Sequence, residues 1–130
     1  MRIVGTAIII NDENKILIGQ RPEGKALAGL WEFPGGKQEE GETVEQCIKR
    51  EIKEELSVQC EVKDFLLTVS KEYEHGAFQL MVYTASIKDM ENLTANVHQK
   101  LLWVTPKEMD NYDFPPADAE IIDFLKKNFI

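Results

Sequence analysis

The most informative segment of the chain reads GKQEEGETVEQCIKREIKEELSV, from Gly36 to Val58, and it predicts a helix behind a glycine-rich turn. The hydroxyl of Thr43 can cap the first turn while Gln46, three residues on, returns as the second half of a capping box. Apolar residues then recur at intervals of four, which predicts a helix packed against a sheet: Val44, Ile48, Ile52 and Leu56.

Three glutamates of this segment fall on one side of the predicted helix. At about 100° per residue, Glu51, Glu54 and Glu55 project within roughly a third of the helix circumference. Glu55 also lies beside the apolar stripe, where an unpaired carboxylate carries a desolvation cost that a hard divalent cation offsets. On the helix pattern alone, a solvated acidic face is the commoner arrangement and a Mg²⁺ site is the alternative.

The turn ahead of the helix contains Pro34, Gly35 and Gly36. A turn without bulky side chains lets the backbone approach an ion or a phosphate, although an ordinary loop turn is the commoner explanation of such a triplet. Two other motifs are excluded. The sequence has no GxxxxGK[ST] string, and NDENKI, residues 11–16, lacks the glycine and the closing glutamate of an EF-hand.

Strands are predicted on both sides of the helix. Two runs rich in β-branched residues, 3–10 and 15–20, flank NDEN and predict a hairpin. Residues 21–41 have little periodicity, and a loop that long in a small domain is usually functional or disordered. Further strands are predicted over residues 65–69 and 78–87, joined across a turn at 74–76, and over residues 101–105.

The last third of the chain predicts a short helix over residues 106–110 and an amphipathic helix after Pro115 and Pro116. The inward-facing residues of that last helix are expected to be Ile121, Ile122, Leu125 and Phe129. The order of strands, helix, strands and helix predicts an α/β fold with a mixed sheet and helices on both faces. Residues 1–130 are expected to form one domain.

The composition limits the partners of the chain. With 15 basic against 23 acidic residues and a formal charge of -8, it is a poor candidate for binding a nucleic-acid polymer, whereas a divalent metal would let an acidic site bind a small anion. No apolar run approaches the roughly 20 residues of a membrane span, and the first ten residues do not resemble a secretory signal. Cys47 and Cys60 match no metal or CxxC spacing, which favours a reducing cytoplasm.

The spacing of Gly36, Glu42, Arg50 and the following residues through Val58 resembles the Nudix box, GX5EX7REUXEEXGU, where U is a bulky apolar residue. Eight of its nine defined positions match, and Ser57 stands where the family has glycine. The run from Trp31 to Gly36, together with the run from Asp113 to Asp118, is similar to the MutT-like branch. The resemblance covers nearly the whole chain and implies the Nudix α/β/α sandwich.

The resemblance implies roles for the box residues. Glu51, Glu54 and Glu55 would hold Mg²⁺ or Mn²⁺ with the Gly35 carbonyl, and Glu51 is the candidate to accept a proton from the attacking water. Arg50 and Glu42 are expected to brace the loop against the helix, with Gly36 as a structural glycine. The helix C-terminus is a place where glycine relieves strain, so Ser57 is expected to cost a little stability and to leave the chemistry unchanged.

Outside the box, the resemblance implies a nucleotide site. Arg21 is positioned to contact a phosphate, with a solvated arginine as the equally common alternative. Phe33, and less strongly Trp31, are candidates for the wall of a base pocket, with core packing as the alternative. Asp118 occupies the place where the family reads the base edge, and its alternative role is at a helix start.

Three further residues complete the expectations. His75 and His98 lack ligand spacing and are expected at the surface. Val97 stands where many MutT-like relatives have a glutamate that supplies a further carboxylate, so either the loop aligns differently or one metal ligand is missing.

The resemblance therefore implies a cytoplasmic, Mg²⁺-dependent pyrophosphohydrolase that acts on a nucleoside triphosphate such as 8-oxo-dGTP or CTP, as a monomer or weak homodimer. Such an enzyme binds a small-molecule nucleotide, without a nucleic-acid polymer or a membrane as partner. Two alternatives stay open. One is a nucleotide-sensing Nudix domain without turnover, and the other is a hydrolase of another nucleoside-diphosphate-linked compound.

Overall fold

The computed structural model describes residues 2–74 and 76–129, whose strands form two sheets. The strands are β1 (Arg2–Ile9), β2 (Ile16–Gln20), β3 (Trp31–Glu32), β4 (Gly35–Lys37), β5 (Cys60–Tyr73), β6 (Gly76–Ile87) and β7 (Lys100–Val104). The α-helices are α1 (Val44–Leu56) and α2 (Ala119–Asn128), and short 3-10 helices cover Met90–Asn92, Lys107–Asn111 and Pro116–Asp118. The larger sheet has the order β4-β1-β6-β5, and the smaller one has the order β3-β2-β7.

The larger sheet is mixed, as the order of elements predicts. Strand β1 runs parallel to β6, with Arg2 opposite Phe78 and Ile9 opposite Ala85, and antiparallel to β4. Strand β5 pairs antiparallel with β6 along almost its full length. In the smaller sheet β2 is antiparallel to both β3 and β7.

Two hydrophobic cores flank the larger sheet, because successive residues of a strand point to opposite faces. Ala7 and Ile9 of β1 pack in the core that contains Ile48 and Ile52 of α1. Ile8 lies between them in sequence and packs in the other core, which contains these α2 residues: Ile121, Leu125 and the partly buried Ile122. The expected α/β/α arrangement with helices on both faces is confirmed.

Helix α1 begins as its sequence predicts. The Thr43 hydroxyl accepts a hydrogen bond from the backbone N–H of Gln46 at 3.1 Å, and the Gln46 side chain accepts one from the Thr43 N–H at 2.8 Å. Both halves of the capping box are therefore present. Within the described part of the chain, no helix combines the length and the apolar character needed to cross a membrane.

The predicted hairpin over residues 3–20 is wrong beyond its turn. The Asn11 side chain closes that turn by accepting hydrogen bonds from the N–H groups of Glu13 and Lys15. Past a single bridge between Ile10 and Ile16, however, the two flanking strands enter different sheets.

The predicted loop over residues 21–41 contains the two short strands β3 and β4. Strand β3 belongs to the smaller sheet and β4 to the larger one, so Phe33 and Pro34 cross from one sheet to the other. The crossing is fixed by a hydrogen bond from the Ala7 N–H to the Pro34 carbonyl, 2.9 Å long. The glycine-rich turn thus lies at the junction of the two sheets.

Candidate active site

The two glycines after Pro34 permit close approaches that no other residue allows. Gly35 has a φ of +152°, and a Cβ there would overlap the backbone carbonyl of Gly5 on β1. A Cβ at Gly36 would overlap the carboxyl group of Glu51. Glycine at both positions therefore lets β4 lie against β1 on one side and against the acidic face of α1 on the other.

Arg50 joins the loop before α1 to the acidic face of the helix. Its Nη2 and Nε donate to the two carboxylate oxygens of Glu42 at 2.8 and 3.1 Å, and Nη2 also donates to the Lys37 carbonyl at 3.0 Å. Its Nη1 donates to Glu51 at 2.9 Å and lies 3.3 Å from Glu54. The hydrogen bonds from Arg50, followed by a backbone bond from Glu39, hold the pKa of Glu42 at about 2.

Glu55 is the most unusual carboxylate of the set. Its Oε1 is buried and has no hydrogen-bond partner among the described residues. Burial, and then the neighbouring carboxyl of Glu51 and the charge of Glu32, raise the pKa of Glu55, while the Gly35 backbone acts in the opposite direction. Glu55 is therefore a desolvated carboxylate beside the apolar stripe of α1, as its position in the sequence predicts.

The three glutamates are only partly gathered. Glu51 is mostly buried beside Gly36, whereas the Glu54 side chain is 58% exposed and reaches Arg50. Over residues 2–74 and 76–129, no three histidine, cysteine, aspartate or glutamate side chains converge into a metal site. The donor set still fits a divalent cation for two reasons. The carboxylates of Glu51 and Glu55 are neighbours that repel each other, and the buried Oε1 of Glu55 has no hydrogen-bond partner among the described residues.

A cleft of about 500 Å³ opens beside Glu55. Its lining includes Phe33, Gly35 and Gly36 at the glycine-rich turn and Asp118, which lies more than 80 residues further along the chain. Phe33 is buried and also stacks on Phe114 with ring centroids 5.5 Å apart, so it serves both the core and the cleft wall. The cleft therefore joins the acidic face of α1 to the start of α2.

Trp31 does not line this cleft. It is buried and packs edge to face on Tyr112 with ring centroids 5.1 Å apart. Its backbone N–H donates to the Asp113 carbonyl at 2.8 Å. Among the two aromatic candidates for the base wall, Trp31 therefore has the core-packing role.

Asp118 is 9% exposed and lines the cleft. Burial, and then the charge of Glu32, raise its pKa to about 7. Although it precedes the first residue of α2, its side chain makes no capping hydrogen bond. Asp118 therefore does not act as a side-chain cap of α2.

Arg21 and Val97 also line the cleft. The Nε of Arg21 donates to the Ala26 carbonyl and its Nη1 to Glu32 Oε1, both at 2.7 Å, which fixes the guanidinium on the wall. Val97 is 48% exposed, and the N–H of the preceding Asn96 donates to the Glu55 carbonyl at 3.0 Å. The structure therefore places the aliphatic side chain of Val97 in the cleft, close in the fold to the end of α1.

The expectation for His98 is wrong. His98 is 5% exposed and its Nε2 lies 2.8 Å from Glu32 Oε2. A Cβ at Gly19 would come within 2.6 Å of the imidazole ring, so the missing side chain on β2 provides the space for it. His75 lies outside the described residues.

The contact between Glu32 and His98 was not predicted from the sequence, because the two residues are 66 positions apart. Glu32 stands in the recognised Trp31 to Gly36 run, but nothing in the sequence indicates which residue it contacts. A glycine inside an apolar strand, Gly19, was the one local signal that a neighbouring group approaches the backbone there.

Ser57 follows the last residue of α1 and has a left-handed conformation, with a φ of +62°. Glycine, which the Nudix box has at this position, adopts that conformation without strain. Its hydroxyl accepts a hydrogen bond of 2.7 Å from Asn96 Nδ2, which also donates to the Glu54 carbonyl at 3.0 Å. The serine therefore contributes a contact between the helix end and the loop that carries Val97.

Comparisons with known proteins agree with this architecture. A family model described as the NUDIX domain matches residues 5–124. The chain is 36% identical over 118 residues to a CTP pyrophosphohydrolase of Escherichia coli strain K12, covering 90% of this chain and 86% of that protein. It is 34% identical over 122 residues to an 8-oxo-dGTP diphosphatase of Haemophilus influenzae, covering 94% of this chain and 89% of that protein.

Among solved structures, the solution structure of the E. coli ORF135 protein superposes with a TM-score of 0.84 at 34% identity, covering 98% of this chain and 89% of that chain. The family match spans nearly all of the chain, and the curated relatives exceed 30% identity over most of their length. The chain therefore belongs to the Nudix family of hydrolases, and within it is similar to the MutT-type members.

Proposed function

We propose that this Nudix hydrolase is a Mg²⁺- or Mn²⁺-dependent nucleoside triphosphate pyrophosphohydrolase that releases the monophosphate and pyrophosphate. Family membership makes it a hydrolase of phosphoric anhydride bonds. The proposal adds the cation, the substrate and the products. The observation that carries it is the buried, unpartnered Oε1 of Glu55 in a cleft that also contains the buried carboxyl of Asp118.

The residues proposed to hold the cation are Glu51, Glu54, Glu55 and the carbonyl of Gly35. When bound, the cation lowers the pKa of the attacking water and neutralises charge on the phosphate oxygens. Glu51 is the proposed acceptor of the proton from that water. Arg50 is a positioning residue, because its bonds to Glu42, Glu51 and the Lys37 carbonyl fix the acidic face relative to the loop.

The remainder of the cleft is proposed to bind the nucleotide. Arg21 presents a fixed guanidinium with N–H groups beyond those used by Ala26 and Glu32, which suits a phosphate. Phe33 supplies a wall for the base. Asp118 is the proposed reader of the base edge, and an ionised carboxylate there accepts hydrogen bonds from the N1–H and exocyclic amine of guanine, or from the exocyclic amine of cytosine.

8-oxo-dGTP and CTP are the proposed substrates, because relatives more than 30% identical carry the names 8-oxo-dGTP diphosphatase and CTP pyrophosphohydrolase. We place the protein in the cytoplasm, in sanitation of the nucleotide pool, as a single-domain monomer or weak homodimer. Its partner is then the small-molecule nucleotide alone.

The test is to incubate purified protein and Mg²⁺ with CTP, dGTP, 8-oxo-dGTP and a nucleoside-diphosphate sugar, and to resolve the products. We expect monophosphate and pyrophosphate from at least one triphosphate, and loss of turnover when EDTA removes the cation. Nucleotide binding without product would favour the sensing alternative. Cleavage of the nucleotide sugar alone would favour the other hydrolase class.

A further inference from the structure

Glu32 is held from two sides by residues of other segments. Its Oε2 lies 2.8 Å from the Nε2 of His98, and its Oε1 accepts a hydrogen bond of 2.7 Å from Arg21. His98 is buried in the space left by Gly19, so the imidazole has little freedom to turn away. None of the roles proposed above uses this carboxylate, yet it lines the cleft and its side chain is 25% exposed.

These contacts keep Glu32 as an acceptor. Burial acts to raise the pKa of Glu32, but the hydrogen bonds from His98 and Arg21 outweigh it and the pKa lies below its ordinary value. Since an ionised carboxylate only accepts, the hydrogen on His98 must reside on Nε2. Each carboxylate oxygen has two acceptor positions, and the two contacts use one on each oxygen, which leaves capacity for an O–H donor from the cleft.

Glu32 lines the same cleft as Glu55 and Asp118. Its charge raises the pKa of Glu55, at the proposed metal end, and also that of Asp118, at the proposed base end. In a nucleotide the sugar joins the phosphates to the base. A substrate that spans the cleft in the proposed way therefore brings its sugar past Glu32.

We propose that Glu32 accepts a hydrogen bond from a sugar hydroxyl of the nucleotide and thereby sets the sugar preference of the enzyme, with His98 as the positioning residue that aims it. This inference rests on the proposed function. The hydroxyl is on C2′ or C3′, and both present the same O–H donor to the carboxylate. A hydrogen bond to a charged partner discriminates strongly against a substrate that lacks the donor.

The test is a cycle between the residue and the hydroxyl. For the preferred base, kcat/KM is measured with the ribonucleoside, the 2′-deoxy and the 3′-deoxy triphosphate in the wild type and in Glu32→Ala. We expect loss of one hydroxyl to lower kcat/KM about 10- to 100-fold in the wild type and by less than about threefold in Glu32→Ala. Because the ratio compares substrates on one preparation, the fraction of folded protein cancels.

His98 is tested by two variants. His98→Gln places an amide N–H near the position of Nε2 and should keep the hydroxyl preference within about threefold of the wild type, whereas His98→Leu should lose most of it. Glu61→Gln is the matched control for charge removal, because Glu61 is an exposed residue of β5 that pairs with Lys88. It should leave both the ratio and kcat unchanged.

The inference is overturned if both deoxy substrates retain the ribonucleotide's kcat/KM in the wild type, or if the wild-type preference persists in Glu32→Ala. It is also overturned if His98→Leu preserves the preference, since the carboxylate would then need no such positioning. A protein that hydrolyses no triphosphate with Mg²⁺ would contradict the proposed function itself. The two failures are therefore distinguishable.

Discussion

Glu55 is the residue on which the proposed chemistry depends most. A buried carboxylate oxygen without a hydrogen-bond partner is unfavourable unless a cation or a proton binds it. We expect Glu55→Gln to lower kcat at least about 100-fold at saturating Mg²⁺, since one negative ligand of the transition-state ion is lost. The fold should survive, because the substitution also removes repulsion from Glu51. Near-wild-type kcat in this variant would indicate that the three glutamates form a solvated acidic face and not a metal site.

Two further variants test whether the Glu55 result is specific to the proposed ligands. Glu54→Gln should also lower kcat at least about 100-fold, because it removes another proposed ligand. Glu45→Gln removes an exposed carboxylate from the first turn of the same helix and should change kcat by less than about twofold. Thermal unfolding of each variant separates lost chemistry from lost structure.

Asp118 gives the stability of the protein a measurable dependence on pH. Its folded-state pKa of about 7 lies above the ordinary 3.8, so the folded protein binds this proton more tightly than the unfolded chain does. Stability from this group is therefore complete below about pH 4 and decreases as the pH rises to about 7, by on the order of 2–4 kcal/mol. Asp118→Asn should remove that decrease.

The measurement for Asp118 is urea unfolding of metal-free protein at several values between pH 4 and pH 8. The informative quantity is the difference in unfolding free energy between wild type and Asp118→Asn, because contributions from other carboxylates, such as Glu42, are common to both. A difference that stays constant over this range would show that Asp118 ionises as freely as a surface carboxylate.

The loop between the 3-10 helix Met90–Asn92 and β7 carries Val97, which lines the cleft. It is tied to the end of α1 by bonds from the Thr94 and Asn96 N–H groups to the Leu56 and Glu55 carbonyls. We expect Val97→Glu, on this loop, to lower the Mg²⁺ concentration needed for half-maximal rate, because site affinity rises with the number of charged ligands. Val97→Gln is the matched control without the charge.

A Mg²⁺ titration of activity decides the outcome at position 97. If Val97→Glu and Val97→Gln titrate like the wild type, the side chain at 97 does not reach the ion. If both variants shift together, the added polar length rather than the charge is responsible, and the view that Val97 replaces a metal ligand is then wrong.

The elements that sequence reasoning predicted best are those whose determinants are local. The cap and the apolar stripe of α1 both lie within Thr43 to Leu56, and the structure reproduces them. Strands β3 and β4 were missed because two or three residues hold strand geometry only through partners elsewhere, on β2 and β1. The hairpin was wrong because a run of β-branched residues indicates a strand but not the sheet that the strand joins.

The same distinction between local and long-range determinants applies to the candidate site. Gly36 and Glu55 were found from the spacing of the box, and Phe33 and Asp118 from the resemblance, but the convergence of these four residues on one cleft depends on the full fold. His98 was misplaced because its burial requires the absence of a side chain at Gly19, 79 positions earlier. No local pattern in the sequence carries that information.

Cation binding should stabilise the entire fold, because α1 belongs to one core and the glycine-rich turn joins both sheets. A ligand that binds only the folded state adds RT ln(1 + [L]/Kd), about 1.4 kcal/mol at ten times Kd, which for a chain of this length raises Tm by roughly 3–6 °C. We expect this rise with Mg²⁺ and not with NaCl of equal ionic strength. Differential scanning fluorimetry measures it.

The double variant Glu54→Gln/Glu55→Gln provides the control for the thermal shift. It should abolish the rise in Tm with Mg²⁺ while leaving the Tm in EDTA at or above that of the wild type, since repulsion among the carboxylates is reduced. A rise that persists in the double variant would locate the stabilising ion elsewhere on this acidic chain.

The parallel pairing of β1 with β6 constrains how the chain acquires its structure during synthesis. Strand β1 precedes α1 and β5 in the chain, but Arg2 pairs with Phe78, so its longest neighbour, β6, is translated only after those elements. Until then, the three-residue strand β4 pairs only with Val4 to Thr6, and Ala7 to Ile9, which belong to the two cores, have no strand beside them among the described residues. Such late, long-range pairing slows folding and leaves an apolar strand edge open on the ribosome, where early capture by a chaperone would be most useful.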